Sequence, residues 1–110
     1  MIQKTIESIE AKIKESASIG EENKTELINL LGALKEEVSE LSKTHAEDAE
    51  SIAHFTQAST HEATKTAKNP QLLKLSVDGL SSSVEGFETS HPKLVDVVNK
   101  VAHILSNMGI

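Results

Sequence analysis

The chain has 110 residues, is 37% hydrophobic and holds two aromatic side chains, Phe55 and Phe87, so by length it is one domain and any core is built from Ile, Leu, Val and Ala. It contains no cysteine, which removes disulfides, thiolate chemistry and Cys-based zinc sites and agrees with a reducing compartment. The net charge of −6 lies in residues 1–50, with 6 Lys against 12 acids, while residues 51–110 balance 5 Lys with 5 acids; all eleven basic residues are lysine, so nucleic acid and anionic membrane surfaces are disfavoured as partners.

The N-terminal stretch MIQKTIESIEAKIKE alternates isoleucine with charge and offers no continuous apolar run, so neither a signal peptide nor a membrane span is expected and the cytoplasm is the expected location. Ile2, Ile6, Ile9 and Ile13 are spaced 4, 3, 4 and lie on one stripe of a first helix, over about 2–17. SASIGEE then supplies a glycine and a Ser18-to-Glu21 capping-box pattern, which predicts a short turn and an antiparallel neighbour. Leu27, Leu31, Leu34, Val38 and Leu41 mark a second helix over about 21–43.

From Ala33 to Asn69 neither Gly nor Pro interrupts the chain, and two readings stay open. THAE, from Thr44 to Glu47, has the form of a capping box and argues for a separate third helix over about 45–67. Against it, the register of the second helix continues through His45, Asp48, Ile52, Phe55, Ser59, Glu62 and Thr66, and one helix over 21–67 would be about 70 Å long. On that seam Ile52 and Phe55 alone are strongly apolar, so STHEATKTAK is expected to be solvated, held by a partner or partly ordered.

In KNPQLL, Asn69 can cap a fourth helix with Pro70 at its first position. Leu73, Val77, Leu80, Val84 and Phe87 carry that helix to about 88. Gly79 and Gly86, seven apart on one face of it, read either as a close approach for a neighbouring helix or as tolerated glycines. His91, before Pro92, is expected to be the non-helical cap of a last helix over about 92–108, and the fourth and fifth helices to form a tight hairpin. The final residues MGI read as a helix stop, with Gly109 left-handed and Ile110 closing on Leu105; a receptor-read tail is the alternative.

Every strong period is near 3.5, so the expected fold is all-α: one domain over 1–110, an antiparallel helical bundle or coiled-coil-like hairpins with a long middle helix. Four aliphatic stripes that need partners, and a middle helix that would project beyond them, point to a homodimer.

FETSHPKL followed by LSNMGI resembles a C-terminal signature, FExxHPxL then LxxMGI, of a family of short bacterial helical proteins that is a domain of unknown function. SxxxFTxxSTHEAT and KNPxLLxLSxxGL are similar to stretches of longer members. The likeness spans about the last 60 residues, and it implies a helical fold and a bacterial origin while supplying no activity, substrate or cofactor.

Five histidines stand at 45, 54, 61, 91 and 103. His54 and His61 share a helix face, with Glu50 one turn before His54, a pattern able to hold a divalent metal. Two specific tests fail: HEATK has Lys65 where a zincin HExxH has its second histidine, and a di-iron site needs two Glu-x-x-His motifs where the chain has one, Glu88 to His91. Solvated histidines on a polar face are the competing reading. No nucleophile elbow and no glycine-rich phosphate loop is evident, and Ser81, Ser82 and Ser83 read as a solvated run. The expected function is therefore non-enzymatic and without a cofactor: a self-associating interaction or scaffold module with an unidentified protein partner, the alternative being a metal-binding protein that uses His54, His61 and Glu50.

Overall fold

The computed structural model describes residues 2–17 and 19–108 of the chain. Five helices follow one another: α1 (Ile2–Glu15), α2 (Glu21–Ser42), α3 (Ala46–Thr64), α4 (Pro70–Ser82) and α5 (Pro92–Met108). Among the described residues there is no strand, and no helix is long and apolar enough to cross a membrane.

The helix directions follow from side-chain pairs between them. Gln3 donates to Ser39, and Glu7 and Glu10 both pair with Lys35, so α1 and α2 are antiparallel. Ile2 and Gln3 lie by Glu50 and Lys12 meets His61 on α3, so α3 runs parallel to α1. His45 touches His91 at the starts of α3 and α5, and Lys68, just past α3, donates to the Met108 carbonyl at the end of α5. The odd helices thus run one way and α2 and α4 the other, an up-and-down bundle. α3 touches all four other helices, whereas among the described residues α1 meets α2 and α3 alone.

The aliphatic stripes are buried inside one chain. Ile6, Ile9 and Ile13 of α1, Leu27, Leu31, Leu34, Val38 and Leu41 of α2, and Leu94, Val98, Val101 and Leu105 of α5 all lie in a common core. The radius of gyration is 12.9 Å, matching the roughly 13 Å of a compact domain of this length. The stripes therefore no longer call for a second copy, and that argument for a homodimer falls.

The question over the middle helix is settled by a corner at 43–45. The amides of Thr44 and His45 both reach the Leu41 carbonyl, at 3.1 and 2.8 Å, and His45, with φ −135° and ψ 64°, is the N-cap of α3. A continuous helix would have outrun the molecule, whose longest extent is 38 Å. Thr44, the expected cap, instead stands one residue early and turns its hydroxyl to the Leu41 carbonyl and to His45 Nδ1.

The seam of α3 also differs from the expected register. His45, Asp48 and Phe55 are exposed, and the buried face is Ala49, Ile52, Ala53, Thr56, Ser59, Thr60 and Ala63. Of STHEATKTAK, Ser59, Thr60 and Ala63 are consequently core, while His61 and the residues 66–68 are exposed. Small side chains let α3 approach four neighbours, and their hydroxyls are satisfied locally: Thr56 donates to the Ile52 carbonyl at 2.7 Å and Ser59 to that of Phe55 at 2.6 Å.

Asn69 caps α4 as expected, its Oδ1 accepting from the amides of Gln71 and Leu72, with Pro70 beginning the helix. α4 stops at Ser82, six residues earlier than expected. The chain then turns through Ser83–Phe87, with Gly86 at φ +96°, so Gly79 and Gly86 do not share a helix face. The connection to α5 is nine residues, 83–91, longer than a tight hairpin needs. His91 precedes Pro92 outside the helix, its carbonyl accepting from Val95, as its place before proline dictates. Gly20 is the N-cap of α2, and Ser18, the other end of the expected capping box there, lies outside the described residues. Gly109 and Ile110 do too; of the MGI motif's partners, Leu105 is fully buried.

Candidate functional site

The parallel packing of α1 on α3 leaves a groove of about 410 Å³ between them. Ile9 and Thr60 line it from the packed side and Ala58 from the exposed side; Ser8, Lys12, His54, Gln57 and His61 form its polar walls. Ile9 and Thr60 are buried, while Lys12, His54 and His61 are exposed at its mouth. Lys12 Nζ lies 3.1 Å from His61 Nδ1. An ammonium can only donate, so Nδ1 accepts in this pair and the imidazole proton sits on Nε2.

Two of the three residues considered for a metal, His54 and His61, are thus brought into one groove. Glu50 is not: it lines a separate groove with Ile2, Gln3, Ser39, Ser42 and Lys43. Among the described residues no group of three His, Asp or Glu side chains comes together in a way that would hold a metal ion. The expected pattern fails at the third ligand because one helix face spans two different gaps. Lys12 was missed from the sequence, since it is 49 residues from His61 and only the pairing of α1 with α3 joins them.

A second histidine cluster sits at the opposite end of the bundle. The rings of His45, Phe87 and His91 meet edge-on in all three pairs, with centroids 5.4, 5.6 and 6.3 Å apart. Each histidine has its Nδ1 at the hydroxyl of the residue before it, Thr44 at 2.8 Å and Ser90 at 2.9 Å. The cluster ties the α2–α3 corner to the α4–α5 connection.

The remaining exposed feature is apolar. Leu75 is 65% exposed, Leu72 43% and Phe55 39%, and these are the large hydrophobic side chains that stand exposed among the described residues. Phe55 rests on Gly79 of α4, one turn beyond Leu75, so the three side chains form a strip along α3 and α4. Beside it Lys74 donates to Asp78 at 2.8 Å, and that carboxylate holds the lysine above its ordinary pKa.

A family described as Domain of unknown function (DUF4404) matches residues 27–110. The chain belongs to this family. No curated protein and no solved structure matches it. The DUF4404 match takes in α3, α4, α5 and most of α2, and with them the histidine–phenylalanine cluster and the apolar strip. The α1 wall of the groove, with Ser8, Ile9 and Lys12, precedes the DUF4404 region.

Proposed function

We propose that this chain is a non-enzymatic helical interaction module of the bacterial cytoplasm, and that it forms a homodimer through the strip of Phe55, Leu72 and Leu75. The observation that carries this reading is the exposure of Leu72 and Leu75, one turn apart on a helix whose other face is already buried. A second copy suits the strip electrostatically. Residues 51–110 carry balanced charge and α4 itself holds one lysine and one aspartate, so two such faces meet without the repulsion that the acidic first half would bring. The absence of cysteine and arginine supports a reading without thiol chemistry or nucleic-acid binding.

Three side chains make a small contact, well below the roughly 800 Å² per partner of a standard interface, so the dimer is weak. Sedimentation velocity from micromolar to millimolar concentration tests this. The native chain is expected to shift from monomer to dimer across that range, and Leu72→Glu with Leu75→Glu to stay monomeric with an unchanged helical circular-dichroism spectrum. A native chain that is monomeric throughout, or a double variant that still dimerises, overturns the proposal.

A further inference from the structure

We propose that the α1–α3 groove binds a small oxyanion, with Lys12 and His61 as the residues that hold its charged oxygens. The chain has 17 acidic residues among its 110, yet none of the eight residues lining this groove is acidic, and six of them carry side-chain hydrogen-bond donors. Lys12 is also unlike most of its fellow lysines. Lys24, Lys35, Lys43, Lys65, Lys74, Lys93 and Lys100 each have a carboxylate within 4.0 Å. Lys12 instead has an imidazole as its polar neighbour among the described residues. The nearest acid in sequence to His61, Glu62, is held by Lys65 at 2.8 Å.

The Lys12–His61 contact arranges the two side chains as a pair of donors. With Nδ1 accepting from the ammonium, His61 keeps a proton on Nε2, and Lys12 has two further N–H bonds to give. Such a pair suits acceptor-only oxygens, as on a carboxylate or a phosphate, where charge-assisted hydrogen bonds are strongest. The same ammonium repels a divalent cation, so this chemistry competes with a metal at His54 and His61. The groove's volume, about 410 Å³, is that of a small-molecule site, and Ala58, exposed above the buried Ile9, offers an apolar surface for the body of a small organic acid.

The test is an amide-resolved NMR titration of the full chain with inorganic phosphate and, separately, with succinate, at constant ionic strength held by chloride. The expected result is saturable shifts at Ser8, Lys12, Gln57, Thr60 and His61 with at least one probe. Saturation by phosphate alone assigns a phosphoryl group, and by succinate alone a carboxylate. Lys12→Met is expected to weaken that saturation by about tenfold or more, and His61→Gln to weaken it as well, with thermal midpoints close to native because both side chains are exposed. Lys24→Gln, which removes a lysine already paired with Glu21, is expected to leave it unchanged. Shifts that stay linear with both probes, or that are the same in Lys12→Met as in the native chain, overturn the proposal. So does saturable binding of zinc chloride in the same groove that survives Lys12→Met.

Discussion

Gly79 and Gly86 are seven residues apart and serve unrelated purposes. Gly86 sits at φ +96° in the turn after α4, where a side chain would be strained with nothing near it to clash. Gly79 is helical, and a Cβ there would run into the Phe55 ring, three of whose atoms would lie at 3.0 Å or less. Gly79→Ala therefore sets a gain in helix propensity of about 1 kcal/mol against overpacking of about 1–3 kcal/mol. We predict a net loss of about 1 kcal/mol in the native background and no loss in a Phe55→Ala background, where the ring is gone. Urea midpoints of the two single variants and the double variant check this. Equal effects of Gly79→Ala in both backgrounds would show that the ring is not the reason for the glycine.

At the level of the helix, two caps proposed from sequence behave differently. Asn69 accepts from two amides of the first turn of α4, at 3.1 and 3.2 Å, whereas the N-cap of α3 is His45 and receives no side-chain capping bond. Asn69→Ala is expected to lower stability by about 1 kcal/mol. Thr44→Ala, at the residue that the THAE pattern had named as cap, is expected to lower it by less than about 0.5 kcal/mol, since its hydroxyl adds a 3.4 Å bond to a carbonyl that backbone amides already reach and a 2.8 Å contact with the exposed His45 Nδ1, and caps no amide of α3. Thermal unfolding of both variants measures the difference, and a loss at Thr44 as large as that at Asn69 contradicts the assignment of the cap. The Asn-Pro and His-Pro starts of α4 and α5 were legible in the sequence because a cap is a local geometry. The end of α4 was not, because Val84 stays buried although the helix has ended, and the apolar spacing therefore continued past the true stop.

For the molecule as a whole, the decisive element is α3, the helix with the weakest apolar pattern. It touches every other helix, and its buried face is mostly Ala, Ser and Thr. Ala63→Leu places a large side chain where the native residue is fully buried, and we predict a loss of about 1–3 kcal/mol, occasionally more. Thr56→Val, nearly the same shape, removes only a hydroxyl whose acceptor is a carbonyl of its own helix, and is expected to shift stability by less than about 1 kcal/mol. Guanidinium unfolding curves for both test the close packing of this helix. A tolerated leucine at position 63 would mean that α3 is not held between its neighbours as described.

The sequence by itself determined that the chain is all-helical and determined the starts of α4 and α5, because apolar spacing near 3.5 and Asn-Pro or His-Pro caps act within a few residues of one another. It also identified the faces of α1, α2 and α5 that enter the core, since those faces are strongly aliphatic. Only the tertiary structure decided that α2 and α3 are separate and that a stripe of small hydroxyl and alanine side chains is the centre of the bundle. Hydropathy reports how much a face gains by leaving water, whereas the burial of Thr56, Ser59 and Thr60 comes from how near the neighbouring helices come. The same holds for the groove and the ring cluster. Lys12 with His61, and His45 with Phe87 and His91, are joined by the choice of which helices lie side by side, and periodicity carries no information about that choice.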